Sequence, residues 1–242
     1  MRLNGRHDDR PIDRAAEAER ELQEFSYIVS HDLAATSRHV AEFSRLLLSE
    51  LGENLTGRQQ AHADHIRAAT DKNQLMIEQL LAFSRAQQKT LDRSAVDPMP
   101  ILKMALLQLG LVDADWVELL IEPLGEVHAD ASLLASVIHH LLDNASKFRR
   151  PGHPLRVAIG PAHDEHVWRM RITDNGLGVE PAYRERAFGM FRRLNGEDAY
   201  PGVGAGLAIC RRIARRHGGD VTFIDHAEGA CVELALPRAA TH

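Results

Sequence analysis

The amino-acid sequence predicts an α+β chain in two parts. The first is an antiparallel helical hairpin that completes a four-helix bundle with a second copy. The second is an α/β sandwich built on a mixed sheet. Three observations carry this expectation. Residues 1–93 contain one proline (Pro11) and three glycines (Gly5, Gly52, Gly57), whereas the remainder is richer in both. Apolar residues in the first part recur at alternating three- and four-residue steps. In the second part, short β-branched runs alternate with helical patterns, the signature of strands covered by helices.

Taken in chain order, the first stripe is Phe25, Val29, Leu33, Thr36, Val40, Phe43 and Leu47, and the second is Ile66, Ala69, Asn73, Met76, Leu80 and Phe83. Both are close to the 3.5-residue repeat of coiled coils. Residues 51–57 separate them, and Thr56 is placed to cap the second helix. Two helices alone cannot bury both stripes, so a dimeric bundle is the natural completion. Thr90, Ser94, Asp97, Pro98 and Pro100 break helical continuity, which predicts domains of 1–93 and 94–242. In the second domain, helices are expected at Ile101–Leu111, Ser132–Phe148 and Gly206–His217. Strands are expected at Val117–Ile121, Leu155–Ile159, Val167–Thr173, Val221–Ile224 and Ala230–Leu236.

Composition excludes several classes. Lys and Arg number 29 against 34 Asp and Glu, a formal net charge of −5, without the basic excess of a nucleic-acid binder. Twelve of the first 24 residues are charged, unlike a signal peptide. No apolar run approaches the roughly 20 residues that span a bilayer. Two cysteines, Cys210 and Cys231, fit a reducing compartment, and a cytoplasmic location is expected.

Three separated motifs carry chemistry. Asp174-Asn175-Gly176-Leu177-Gly178 follows a predicted strand. A carboxylate there can accept the exocyclic amine of adenine while the glycines admit a close backbone approach, though the same residues also make a plain Asx-Gly turn. Gly202-Val203-Gly204-Ala205-Gly206 opens a predicted helix, whose unpaired N–H groups suit a phosphate; a flexible loop reads equally well. On the helix before them, His140, Asn144 and Lys147 fall on one face. The amide carbonyl of Asn144 suits a magnesium ion and the Lys147 ammonium a phosphate, against the alternative of a solvated helix face.

In order and spacing, Asn144–Phe148, Asp174–Gly178, Phe188–Phe191 and Gly202–Gly206 resemble the N, G1, F and G2 boxes of the sensor histidine kinases. Phe25–Leu33 resembles their H box, and the chain is most similar to phytochrome-type members from about Glu19 to Pro237. The resemblance implies that His31 accepts the γ-phosphoryl group of ATP beside Asp32. It also implies a nucleotide site drawn from His140, Asn144, Lys147, Asp174, Gly176, Gly178, Arg193, Gly202, Gly204, Gly206 and Leu207, with Mg2+ on Asn144. The partners it implies are a second copy, the receiver domain of a response regulator, and an upstream sensor domain or protein. By helix geometry His31 lies about 200° around from Val29, off the apolar stripe.

Three positions depart from the pattern. Thr36 stands where proline is usual, Ala35 stands where Thr or Asn often serves phosphatase chemistry, and His140 replaces the first asparagine of the N box. An unperturbed imidazole at 140 would titrate near pH ~6.5, and activity is expected to fall through that range. The alternatives are a histidine phosphotransfer protein with a degenerate ATP-binding domain and a clamp ATPase of the gyrase type.

Overall fold

The computed structural model describes residues 33–51, 55–194 and 200–238. The chain divides into two compact units, Met1–Gln88 and Lys89–His242.

In the first unit, helix α1 covers residues 33–51 and α2 covers Gly57–Gln88. Thr56 and Gln59 form a reciprocal cap at the start of α2: Thr56 N donates to Gln59 Oε1 at 2.8 Å, and Gln59 N donates to Thr56 Oγ1 at 3.4 Å. The helices run antiparallel, with Asn73 Nδ2 donating to Ser37 Oγ at 3.3 Å across the hairpin. Their buried side is not the stripe expected from periodicity. Ser37, Ala41 and Leu48 of α1 and Ala63, Ile77, Leu81 and Ser84 of α2 are buried, while Val40 is 51%, Phe43 68% and Leu47 57% exposed. The chain carries two apolar faces. The one with smaller side chains lets the two helices approach, and the one with larger side chains faces outward.

The second unit contains β1 (Ser94–Val96), α3 (Pro98–Gln108), β2 (Val117–Ile121), β3 (Val127–Ala129), α4 (Ala131–Lys147), β4 (Leu155–Pro161), β5 (Val167–Asp174), a 3-10 turn (Pro181–Tyr183), α5 (Arg184–Ala187), α6 (Gly206–Arg216), β6 (Asp220–Ile224) and β7 (Cys231–Pro237). The main sheet has the order β2-β4-β5-β7-β6. It is parallel between β2 and β4 and antiparallel elsewhere, so the expected mixed sheet is present. Leu155, Val157 and Ile159 of β4 and Trp168, Met170 and Ile172 of β5 alternate into the core, where Leu134, Val137, Ile138, Leu141 and Leu142 of α4 also lie.

Three details differ from expectation. Helix α3 begins at Pro98, three residues before the expected start. Asp97 caps it, accepting from Met99 N at 2.9 Å, and a proline in the first turn forfeits no hydrogen bond. It ends before Gly110, whose φ is 64°. Strands β1 and β3 were not anticipated; at three residues each they are too short for periodicity to reveal, and they pair with one another. No helix among the described residues is long and apolar enough to cross a membrane.

Candidate functional site

Helix α4 supplies one wall of the site. Asp130 caps it, its carboxylate accepting from Ser132 N at 3.1 Å and Leu133 N at 3.2 Å. Leu133, Leu134, Val137, Ile138, Leu141, Leu142 and Ala145 anchor the helix in the core. The remaining face carries His140, Asn144 and Lys147 at one-turn intervals. Lys147 pairs with Asp143 one turn earlier. The Asn144 amide makes no hydrogen bond to the described residues, which leaves both its carbonyl and its NH2 for a ligand.

Gly202–Gly206 comes up against this face. A methyl group added at Gly202 would lie 3.6 Å from Lys147 Nζ, and one at Gly206 would lie 3.4 Å from His140 Nδ1. Gly202 and Gly204 have φ of 115° and 75°, values that side chains disfavour. A methyl on Gly204 would also lie 2.6 Å from Arg192 O. Helix α6 then starts after Ala205 without a side-chain cap. Its first amides, including that of Leu207, therefore lack the partner that a capping residue normally provides and face the anion-favouring end of the helix dipole. Arg193 is drawn into its own loop, its guanidinium donating to Tyr200 O at 2.6 Å, while the Tyr200 ring packs 5.3 Å from that of Phe148.

The second wall is the turn after β5. Asp174 Oδ1 accepts from Gly176 N at 2.8 Å and Ala230 N at 3.3 Å, while Oδ2 takes no hydrogen bond from the described residues. Burial raises the Asp174 pKa, opposed by the two amides and by His226. The Asx-Gly turn is therefore real, and it orients one carboxylate oxygen instead of excluding a ligand. Phe148, the C-cap of α4, joins this turn to the first wall. Its carbonyl accepts from Leu177 N at 3.0 Å, and a methyl on Gly176 would lie 2.5 Å from that oxygen. Gly178 has φ of 73° and passes so close to Gly229 that a methyl would sit 2.5 Å from Gly229 O.

His140, Lys147, Gly202, Gly204 and Gly206 thus converge, and Asp174, Gly176 and Gly178 join them through the end of α4. His31 and Asp32 lie outside the described residues. Desolvation, with help from His139 and Lys147 and against Asp143, lowers the His140 pKa to about 4. This corrects the expected titration near neutrality: a buried imidazole beside a lysine cannot charge cheaply, so His140 stays neutral through the physiological range. Among the described residues no cluster of His, Cys, Asp and Glu could hold a metal ion.

Sequence reasoning overlooked Arg150 and Gly229. Arg150 Nε donates to Gly176 O at 3.0 Å. Gly229 (φ 68°) touches the Asp174 carbonyl so closely that a methyl there would overlap it. The Glu228-Gly229 turn signal was visible, but nothing local ties residue 229 to residue 174.

A layer of helices over a mixed sheet, with a glycine turn against a polar helix face, has the form of a site for a phosphate-bearing ligand. Residues 129–240 match the family described as "Histidine kinase-, DNA gyrase B-, and HSP90-like ATPase". The chain is 28% identical over 219 residues to phytochrome-like protein Cph1 of Synechocystis sp., covering 90% of this chain and 29% of that protein. The structure of full-length ShkA in complex with AMPPNP superposes with a TM-score of 0.64 at 24% identity, covering 90% of this chain and 47% of that one. That of mycobacterial sensor histidine kinase MprB gives 0.50 at 29% identity, covering 62% and 99%. Residues 129–240 thus carry an ATPase domain of that family, and the chain is similar over most of its length to proteins named as sensor histidine kinases and phytochrome-like proteins. It spans less than a third of the length of phytochrome-like protein Cph1.

Proposed function

We propose that the chain is an ATP-dependent protein histidine kinase core of a two-component system. It binds Mg-ATP, phosphorylates His31, and passes the phosphoryl group to an aspartate on the receiver domain of a response regulator. The observation that carries this reading is the approach of Gly202–Gly206 to the His140, Asn144 and Lys147 face of α4. That approach leaves an uncapped helix start, a lysine and an uncommitted amide around one space.

Asp174 Oδ2 accepts the exocyclic amine of adenine, and its partners on Oδ1 hold it in that orientation. The first amides of α6 and Lys147 bind the phosphates. The carbonyl oxygen of Asn144 is a hard, neutral donor suited to a magnesium ion that retains waters. Such an ion supplies charge neutralisation on the phosphates. His140, held neutral, adds no competing positive charge beside it. Asp32 fixes the His31 tautomer so that a ring nitrogen carries a lone pair toward the γ-phosphorus.

The hairpin dimerises in this reading through the outward face of Leu33, Val40, Phe43 and Leu47, large apolar side chains that each stand about half exposed or more. The chain works in the cytoplasm, with signal input from an upstream sensor domain or protein.

Incubation with γ-labelled ATP tests the proposal. Acid-labile, base-stable label is expected on the wild type and its loss in His31→Gln. Label retained in that variant would remove His31 from the role. Absence of nucleotide binding altogether would leave a phosphotransfer protein with a degenerate ATP-binding domain.

A further inference from the structure

Arg211 lies on α6, outside the motifs discussed above, and is 8% exposed. Its guanidinium engages two separate parts of the fold. Toward the sheet, Nε donates to Asp220 Oδ1 at 3.1 Å and to Val221 O at 3.2 Å. Toward α5, its terminal nitrogens form a two-pronged pair with Glu185, at 2.8 and 3.1 Å. Its plane also sits 3.7 Å above the centre of the Phe188 ring, which packs in turn on Phe223.

These contacts belong to a closed circuit. From Phe188 the chain makes a tight turn, with Gly189 N donating to Arg186 O at 3.1 Å and Arg192 N to Gly189 O at 3.2 Å. The Arg192 carbonyl then abuts the α-carbon of Gly204, where a methyl would lie 2.6 Å away. Two residues on, Gly206 opens α6, the helix that carries Arg211. One end of the circuit is thus held by helix continuity, the other by Arg211. The second hold fixes the segment whose Arg192 carbonyl lies against Gly204.

We infer that the Arg211–Glu185 pair positions the glycine turn for the phosphates of the nucleotide. Arg211 is a positioning residue. The inference rests on the nucleotide-binding reading above and adds to it a determinant on the far side of α6. A planar, bidentate guanidinium stacked on an aromatic ring suits the task better than lysine, which offers neither the fork nor the flat face.

The test uses the full chain with Glu185→Gln, Arg211→Lys and the double variant. Glu185 is largely exposed, and without its charge Arg211 retains Asp220 and Val221, so Glu185→Gln leaves the fold intact. The measurements are the Kd for ATP, KM and kcat for autophosphorylation, and melting temperature. Each single variant is expected to weaken ATP binding and raise KM roughly threefold to tenfold with kcat unchanged. The melting temperature is expected to hold in Glu185→Gln and to fall in Arg211→Lys, which also loses contacts to Asp220, Val221 and Phe188. The double variant is expected to bind ATP no worse than Arg211→Lys, since that substitution already removes the two-pronged pair with Glu185. Wild-type affinity retained in both single variants would overturn the inference alone. So would additive losses of affinity, or an affinity loss in Glu185→Gln that merely tracks a falling melting temperature. A wild type that binds no ATP would overturn the nucleotide-binding reading and this inference together.

Discussion

His217 Nε2 accepts the backbone N–H of Asp130 at 3.0 Å, while His217 Nδ1 donates to Ile213 O at 2.8 Å. The ring is therefore a neutral, Nδ1-protonated tautomer, and a second proton would set two donors against each other. Burial lowers its pKa, with Arg93 and Arg216 adding to the effect and the Ile213 carbonyl and Asp130 opposing it. This contact ties the end of α6 to the start of α4, the two helices that form the site.

Stability should fall in mild acid as a result. His217 and His140 both have folded-state pKa values below that of a free imidazole, so the unfolded chain takes up protons first as pH drops below about 6.5. The folded state has its full stability above that pH and loses it progressively below. With His140 moved to about 4, its share of the loss by pH 5 is about 2 kcal/mol. Urea midpoints from pH 7.5 to 5 measure this. His217→Gln, which keeps an acceptor near Asp130 N, should flatten the slope; an unchanged slope would exclude His217 as a source.

Asp130 should be among the most sensitive positions outside the motifs. It is 2% exposed, and its carboxylate accepts from Lys89, Ser132, Leu133 and Asp92. Burial pushes its pKa up, but these donors outweigh burial and hold the carboxyl far below the usual range. Asp130→Ala removes a helix cap and the partner of a half-exposed lysine, so a loss of about 2 kcal/mol is expected by chemical denaturation. A loss below about 1 kcal/mol would show that the network is dispensable.

Asn144→Ala should separate chemistry from folding. Its amide is uncommitted within the protein, and alanine raises helix propensity. Autophosphorylation should drop by about 100-fold or more with no fall in melting temperature. A collapse of the melting temperature would make Asn144 structural.

Gly229→Ala should damage the adenine end of the site from a distance. The new methyl would strike the Asp174 carbonyl, and the positive φ adds strain. Destabilisation of about 1–3 kcal/mol is expected together with weakened nucleotide affinity. Normal ATP affinity in this variant would mean that the Asp174 turn tolerates displacement.

Much of the candidate site was legible because its chemistry is local. Glycines before a helix, an Asx-Gly turn after a strand, and polar residues one helical turn apart on α4 each have a short-range signature. The strands were legible for the same reason, since alternation in Leu155–Pro161 and Val167–Asp174 reports burial directly. The sequence by itself therefore determined the order of the longer helices and strands, the mixed character of the sheet, and the polar face of α4 that meets the glycine turn.

Three matters were settled only in three dimensions. Periodicity shows that α1 and α2 carry apolar faces, but which face meets the other helix depends on side-chain size at closest approach, and Ser37 and Ala41 outcompete Val40 and Phe43 there. The charge state of His140 depends on desolvation and on neighbours that the fold gathers, not on the residue type. The supports of the site, Arg150 to Gly176, Gly229 to Asp174, Arg211 to Glu185 and His217 to Asp130, join residues 26 to 87 positions apart. No spacing rule connects such residues, because the contact exists only once sheet and helices are packed.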